Sequence, residues 1–237
     1  MNIKHLLLIV LTLTSIDINA QKKIKFKDLN LKTALLDLGY DFNKNQEIEI
    51  SEIDTVKKLN ISKRNINRLD DLIHFKSLRI LNAMTNNIPN LDVFFNNSVI
   101  EELYVGENKL GKKLVLKNLP KLTGLFAFRN SIESIELVNT DKIEQMYLQG
   151  NFLQTFEFKN LSKLRSLQLD ENTKLTKIDV TKNVELKQLY LRETLITKLD
   201  ITNNLILKTL YIEQNVELIK TKEQENLKAM PVIRSSN

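Results

Sequence analysis

The sequence contains no cysteine and no tryptophan, and only two of its residues are histidine. Without cysteine the chain forms neither disulfides nor thiolate metal sites, so an exported protein of this kind must be held together by its core alone. His5 lies in an N-terminal apolar leader and His74 stands alone, so neither a histidine-based catalytic triad nor a histidine metal site is expected. Neighbouring carboxylates such as Asp170 and Glu171 make no catalytic constellation, and we do not expect an enzyme.

The formal charge of +6 does not indicate a nucleic-acid-binding protein. Acidic residues are interleaved with the basic ones throughout, and no basic arm or motif of a nucleic-acid-binding module is present. Net charge alone indicates only a non-specific tendency to bind polyanions. We therefore expect no nucleic-acid partner.

Residues 1–20 have the layout of a secretory signal peptide: a short basic start, an apolar run over residues 6–13, and a small residue, Ala20, at the cleavage point. The apolar run is too short to span the ~30 Å of a bilayer core. The alternative is an N-terminal strand or core helix. We expect an exported protein without a membrane span, which is secreted, at the cell surface or periplasmic. Gln21 stands where a lipoprotein would carry cysteine.

Eight segments share the pattern apolar-x-x-apolar-x-apolar-x-x-Asn, and the pattern recurs every 21 or 22 residues. The first apolar positions are Val56, Leu78, Ile100, Leu122, Ile143, Leu164, Leu186 and Leu207. The next two are Leu59/Ile61, Leu81/Ala83, Leu103/Val105, Leu125/Ala127, Met146/Leu148, Leu167/Leu169, Leu189/Leu191 and Leu210/Ile212. A fixed period of this length predicts a solenoid in which each coil buries its apolar side against its neighbours.

The ninth position of the repeat holds a polar residue that we expect to point inward. It is Asn86, Asn108, Asn130, Asn151, Asn172 and Asn215 in six coils, and Arg64 and Thr194 in the other two. After a short strand the chain must turn, which leaves backbone polar groups buried, and a carboxamide both donates and accepts hydrogen bonds. The pattern therefore predicts an asparagine ladder, with Thr194 as a weak rung.

The repeats resemble the leucine-rich repeats of secreted bacterial proteins, including the internalin-like group. The likeness is clearest in residues 175–180 and 196–201, which are followed by Asn183 and Asn203. It covers residues 56 to about 218. The resemblance implies an α/β solenoid, a leucine-rich-repeat horseshoe of about eight coils with an inner parallel β-sheet, and 3₁₀ turns or short extended segments outside.

The repeat region is flanked by two segments of different character. Residues 21–55 read as a helical N-terminal cap, because the apolar residues from Phe26 onward have helical spacing and a second short helix over residues 51–59 leads into the first coil. Residues 219–237 read as a C-terminal cap and tail, which leaves residues 56–218 as the repeat domain. The ends of a solenoid core need such lids.

The loop between the two cap helices resembles an EF-hand calcium loop. Oxygen-bearing residues occupy the coordinating positions: Asp41, Asn43, Asn45, Glu47, Glu49 and Glu52. Gln46 stands at the sixth position, where the family has glycine, and must therefore adopt a positive φ. Two interpretations stay open: a weak Ca²⁺ site, or a cap that kept the shape of the loop without the ion.

The residues between the second and third apolar positions should form a central row on the concave face of the sheet. They are Asn60, Asn82, Tyr104, Phe126, Tyr147, Gln168, Tyr190 and Tyr211, and a neighbouring row adds Met84, Phe128, Gln149, Asp170, Arg192 and Glu213. All five aromatic residues of the central row should be substantially exposed. An exposed aromatic stripe favours a binding face, whereas cross-strand stacking that stabilises the sheet is the alternative.

We therefore expect a monomeric module that binds a protein or peptide on this face. The ligand-binding residues would be Tyr104, Phe126, Phe128, Tyr147, Gln149, Asp170, Tyr190, Arg192 and Tyr211. The alternative function is carbohydrate binding, in which the tyrosines stack on sugar rings and neighbouring polar side chains bind the hydroxyls. Glycan binding that is lost on replacing Tyr147 would favour the alternative.

Overall fold

A single parallel sheet runs the length of the chain in the computed structural model, which describes residues 22–158, 160–227 and 229–230. The signal peptide predicted for residues 1–20 lies outside the described residues. The sheet has nine strands, each hydrogen-bonded to the strand of the next coil. They are Lys58–Asn60, Ile80–Asn82, Glu102–Tyr104, Gly124–Phe126, Gln145–Tyr147, Ser166–Gln168, Gln188–Tyr190, Thr209–Tyr211 and Ala229–Met230.

The ninth strand corrects the sequence-based prediction at the C-terminal end. The repeats predicted about eight strands, followed by a C-terminal cap and tail over residues 219–237. The structure instead has a short 3₁₀ helix, Lys222–Gln224, and the strand Ala229–Met230, which pairs with Leu210 and Tyr211. Adding a strand covers the unpaired edge that Thr209–Tyr211 would otherwise expose.

The outer side of the coils is irregular at first and extended later. The first coils carry the 3₁₀ helices Asp70–His74 and Asp92–Phe94. Later coils carry three pairs of parallel strands: Lys113–Lys117 with Ser134–Val138, Thr155–Glu157 with Lys177–Asp179, and Lys198–Asp200 with Glu217–Ile219. Both kinds of outer segment agree with the expected solenoid.

The repeat leucines fill the space between the inner and outer sides. The predicted core positions Leu125 and Leu148 are fully buried, and the side chain of Asn130 points inward as expected. The Asn130 amide oxygen accepts from the backbone N–H of Leu110, and its Nδ2 donates to the carbonyls of Val105 and Ala127. Each ladder amide thus ties its own turn to the preceding coil.

The ladder extends over Asn86, Asn108, Asn130, Asn151 and Asn172 and then weakens. Thr194 donates only to Leu191 O, as expected of a weak rung. Asn215 was predicted to be a rung, and this is wrong, because its side chain is exposed. A second, shorter ladder crosses the opposite turn, with Asn183, Asn204 and Gln224 donating to carbonyls of the preceding coil. Asn203, which the repeat pattern singled out, is exposed there.

The N-terminal helix Leu29–Asp37 covers the first coil. It buries Leu31, Ala34 and Leu35, and Asp28 caps its N-terminus by accepting from the N–H groups of Asn30 and Leu31. The other carboxylate oxygen of Asp28 accepts from the N–H groups of Asn67 and Arg68 in the first coil. In return, Asp71 accepts from the N–H groups of Lys27 and Asp28. The two buried carboxylates therefore join helix and solenoid reciprocally.

The second helix is shorter than predicted. It spans Ile50–Ile53 and not residues 51–59, because Leu59 already lies in the first inner strand. Segment 22–24 runs antiparallel beside it, with a bridge between Lys23 and Glu49. Within the described part of the chain, no helix has the length and apolar character needed to cross a membrane.

Candidate binding face

The concave face is defined here as the solvent side of the nine-stranded sheet. In each of the first eight inner strands the middle residue is buried in the core and its two neighbours face outward, as in Gln145–Tyr147, where Met146 is buried. The third residue of successive strands therefore forms one row. In register this row reads Asn60, Asn82, Tyr104, Phe126, Tyr147, Gln168, Tyr190 and Tyr211.

Three neighbouring rings of this row form a cluster. Tyr104 and Phe126 are stacked, with centroids 4.3 Å apart and planes 4° from parallel. Tyr147 meets Phe126 edge to face at 4.9 Å. The prediction that every aromatic residue of the row is substantially exposed is wrong for Phe126, which is only 8% exposed. Its ring is covered on both sides by the neighbouring tyrosines.

Glycines allow two phenylalanine rings to lie against the sheet. A Cβ atom on Gly124 would lie 2.8 Å from Cε2 of Phe126, so the ring of Phe126 occupies the space of an absent side chain. In the next row, a Cβ on Gly106 would lie 2.6 Å from Cε1 of Phe128. Any larger residue at either glycine would displace the ring. Phe128 is half-buried as a result.

A second cluster follows beyond Gln168. Tyr190 and Tyr211 are stacked at 5.0 Å with planes 12° from parallel, and the guanidinium of Arg192 lies 5.0 Å from the ring centre of Tyr211. Asp170 accepts from both the backbone N–H and the Nε of Arg192, at 2.8 and 3.1 Å. Asp170 was expected to be available to a ligand, but it is 7% exposed and positions Arg192.

Burial shifts the pKa of two tyrosines of the central row. Burial, reinforced by the hydrogen bond that its hydroxyl donates to Glu102, raises the pKa of Tyr104 to about 12. Burial also raises the pKa of Tyr190. The hydrogen bond to Asp170 raises the pKa of Arg192. Tyr104 and Tyr190 therefore present neutral hydroxyl groups, and Arg192 a fixed positive charge, at physiological pH.

Gln149 lies between the two clusters in the second row and is half-buried. Its Oε1 is enclosed and has no hydrogen-bond partner in the described protein. The structure thus brings the predicted site residues onto one face. It divides them between half-buried groups that a ligand could reach, such as Tyr147 and Tyr211, and buried supporting groups, such as Phe126 and Asp170.

The EF-hand-like loop is closed by its own hydrogen bonds. Gln46 has φ 66°, the positive value that the sixth position requires. Asp41 accepts from the N–H groups of Asn45 and Gln46, and Glu52 accepts from those of Phe42 and Glu49.

The amides of Asn43 and Asn45 both donate to the carboxylate of Glu49, and the bond from Asn45 is the main cause of the lowered pKa of Glu49. These two side chains present N–H groups to Glu49, so they would have to turn over to coordinate a cation. Within the described residues, no group of three or more His, Cys, Asp or Glu side chains is placed to hold a metal ion. Both interpretations of the loop, a weak Ca²⁺ site and a cap without the ion, stay predictions.

One feature of the face was not predicted from the sequence. It is a depression at the N-terminal ends of four inner strands. Its volume is about 460 Å³, and it is bordered by Tyr147, Arg165, Lys187 and Lys208. Reading the residue directly after the first apolar position of each coil would have revealed it, because this position holds Arg165, Lys187 and Lys208 in successive coils.

Comparison with known proteins identifies the fold. No family model matches the sequence. A homologue of a protein phosphatase 1 regulatory inhibitor subunit from Arabidopsis thaliana is 31% identical over 91 residues, which make up 38% of this chain and 28% of that protein. The functional domain of InlJ from Listeria monocytogenes, which includes a cysteine ladder, superposes with a TM-score of 0.64 at 24% identity, over 75% of this chain and 39% of that one.

Internalin C2 from Listeria monocytogenes superposes with a TM-score of 0.55 at 15% identity, over 86% of this chain and 91% of that one. At these identities the solved structures establish the fold. The chain is a leucine-rich-repeat solenoid of about eight coils with a parallel inner sheet, as the repeats predicted.

Proposed function

We propose that this chain is a secreted or surface-associated binding module that recognises a protein or peptide through its concave face. The observation that carries the proposal is the row of half-buried tyrosines, Tyr104, Tyr147, Tyr190 and Tyr211, on one face. Such side chains offer a large apolar area at a low cost in conformational entropy, together with a polar hydroxyl. They are among the residues that dominate protein interfaces.

The ring geometry favours a protein ligand over a carbohydrate. A sugar stacks on the open face of an aromatic ring, but Tyr104 already lies face to face with Phe126, and Tyr190 with Tyr211. One face of each of these four rings is therefore covered by its partner, which leaves less ring area on which a sugar could stack.

Two further observations support the proposal. The Arabidopsis thaliana relative is a homologue of a protein phosphatase 1 regulatory inhibitor subunit, which is a protein that acts on another protein. Residues 1–20 have the layout of an export signal. We propose that the exported chain acts as a monomer. We also propose that it acts without catalysis, because cysteine is absent and His74 is the one histidine beyond the predicted signal peptide.

A display selection tests the proposal. A library of random dodecapeptides is panned against the immobilised protein, and a glycan array is probed with the same preparation. We expect peptides to be selected, and their affinity to fall by about 2 kcal/mol, roughly 30-fold, on Tyr147→Ala.

Phe42→Ala is the matched control, because Phe42 is an exposed aromatic residue in the cap loop, away from the inner sheet. It should leave binding unchanged. Selected peptides that bind Tyr147→Ala as tightly as the unchanged protein would place the site elsewhere. Binding to glycans alone would support the carbohydrate alternative.

A further inference from the structure

The depression at the N-terminal ends of the inner strands has an unusual charge. Its lining includes three basic side chains, Arg165, Lys187 and Lys208, against one carboxylate, that of Glu144. Glu144 is engaged by Arg165 at 2.7 Å, and Glu185 lies 3.3 Å from the same guanidinium. Arg165 is therefore neutralised by its neighbours, whereas Lys187 and Lys208 make no ion pair with the described residues.

These two lysines are direct neighbours across the sheet. The backbone N–H of Lys208 donates to the carbonyl of Lys187, and that of Lys187 to the carbonyl of Arg165. Adjacent strands lie about 4.8 Å apart, so the three basic side chains leave the backbone close to one another. Like charges directly opposite one another on neighbouring strands are destabilising.

Several other coils place opposite charges against each other. Cations of one coil lie against carboxylates of the next, as in Arg79–Glu101, Lys113–Glu136, Lys177–Glu157 and Lys198–Glu217. The same repeat position that carries Lys187 and Lys208 forms the pair Arg79–Glu101 in earlier coils. The solenoid thus places opposite charges in register in those coils and leaves Lys187 and Lys208 without a carboxylate.

The side chains around the lysines complete a site for an acidic group. Ser166 is buried and donates to Oε1 of Gln188, which holds the Gln188 amide at the edge of the depression. Thr209 adds a hydroxyl, and Tyr147, the central residue of the proposed binding face, borders the same depression. Ammonium, amide and hydroxyl donors converge on one concavity, and a carboxylate accepts from each of them.

We propose that this depression binds the carboxylate side chains of an acidic peptide segment, an inference that rests on the proposed function and names the chemistry of its ligand. Lys187 and Lys208 supply the charge, and Gln188 and Thr209 supply neutral donors. The ligand's acidic residues relieve the repulsion that the two lysines exert on each other.

The opposite edge of the same strands argues for a peptide and against a uniformly anionic polymer. The turns that follow these strands carry Glu171 and Glu193. The carboxylate of Glu213 accepts from the backbone N–H of Glu193. Six residues separate Lys187 from Glu193, a distance below about 20 Å at 3.3 Å per residue. A sulfated glycan or a nucleic acid lying across the face would meet these carboxylates, whereas a peptide can carry acidic groups at one end and basic groups at the other.

Sequencing the dodecapeptides selected in the display experiment tests the inference. We expect Asp and Glu to be enriched over the unselected library, and affinity for an enriched peptide to fall at least roughly tenfold on Lys187→Ser/Lys208→Ser. Raising the salt concentration should weaken binding to the unchanged protein and have a smaller effect on the double variant. The control variant Lys76→Ser/Lys109→Ser removes two exposed lysines from other coils and should bind normally.

The outcomes separate this inference from the proposed function. Selected peptides that lose affinity on Tyr147→Ala but show no acidic enrichment overturn the inference and leave the proposed function standing. Peptides insensitive to Tyr147→Ala, or no selected peptide at all, contradict both. A heparin fragment that binds as tightly as the selected peptides, and is lost on Lys187→Ser/Lys208→Ser, overturns the inference in favour of an anionic glycan.

Discussion

Two rows of side chains follow the inner sheet, and their members are four residues apart in each coil. The rows share the repeat period, but they differ in burial and in residue type. The ladder row repeats asparagine from Asn86 to Asn172, and each amide makes similar bonds to buried backbone groups. The central row of the concave face changes from Asn60 to Phe126 to Gln168 and faces outward. Burial of unpaired backbone groups dictates the residue type in the first row, while solvent leaves the second row free to specialise.

From this difference we expect stability and binding to depend on different residues of a single coil. Replacing a ladder asparagine should destabilise the fold, whereas replacing an exposed concave residue should change what the face binds. The predictions that follow test how cleanly the two roles are divided.

The largest effect is expected in the ladder. Asn130→Ala leaves the backbone N–H of Leu110 without a partner and removes one of the hydrogen bonds to three carbonyls, so the free energy of unfolding should fall by about 3 kcal/mol. Asn215→Ala removes the same side chain from an exposed position and should cost less than ~0.5 kcal/mol. Urea denaturation measures both. Equal losses would mean that the ladder does not stabilise the solenoid.

The concave row itself should divide into supporting and exposed members. Phe126→Ala removes a buried ring that packs on Tyr104 and Tyr147, so unfolding should become easier by about 2 kcal/mol. Tyr147→Ala removes a half-buried ring and should cost less than ~1 kcal/mol. Thermal or urea melts of the two variants give the comparison. If Tyr147→Ala lowers the free energy of unfolding more than Phe126→Ala does, the whole row stabilises the fold.

A smaller effect is expected from alkali. Because the folded-state pKa of Tyr104 is raised to about 12, its contribution to stability is present in full below the ordinary tyrosine value of 10.0. That contribution is lost as the pH rises from there through about 12. Tyrosinate absorbance should show a group with a pKa of about 12 that disappears in Tyr104→Phe. Glu102→Gln should lower its pKa only in part, since burial is the larger cause. Titration of Tyr104 at its ordinary value would show that the row is open to water.

The smallest effect is expected in the cap loop, where amides act as they do in the ladder. Asn43 and Asn45 accept from backbone N–H groups and donate to Glu49, so the loop is satisfied without an ion. Millimolar Ca²⁺ should therefore change the melting temperature by less than about 1 °C relative to a chelator. A clear rise that Asp41→Ala abolishes would identify the loop as a calcium site.

The repeat period predicted most of the fold, because burial of apolar residues leaves a periodic record in the sequence. It predicted the inner sheet, the core leucines and the ladder from Asn86 to Asn172. It missed the ninth strand, Ala229–Met230, where the pattern has lapsed and pairing with the backbone of Leu210 and Tyr211 defines the element. The period also predicted Asn215 as a ladder residue, which is wrong, because an asparagine joins the ladder only where the turn buries its side chain.

The turns before the ladder show a further limit. The residue just before the ladder position has a positive φ in seven successive coils: Lys63, Thr85, Glu107, Arg129, Gly150, Glu171 and Glu193. Only one of them is glycine, so composition gives no signal for this conformation. The stacking of the coils imposes this conformation, because each turn hydrogen-bonds to the turn of the next coil. The backbone N–H of Thr85, for example, donates to the carbonyl of Gly106.

The candidate site was predictable in its position and not in its details. The alternation of strand residues placed Tyr104, Tyr147, Tyr190 and Tyr211 on one face. The burial of Phe126 depends on the missing side chain of Gly124 and on two neighbouring rings, and that of Asp170 on its bonds to Arg192. Such contacts join different coils, and a pattern read within one coil does not contain them.

Photo-crosslinking tests the central claim most directly, because it reports where a ligand lies. A benzophenone side chain is introduced in place of Gln168, between the two aromatic clusters, and in a second variant in place of Thr155 on an outer strand. Each variant is irradiated with a selected dodecapeptide. The account predicts an adduct at position 168 and none at position 155. An adduct at position 155 with none at 168 would contradict the assignment of the concave face as the binding surface.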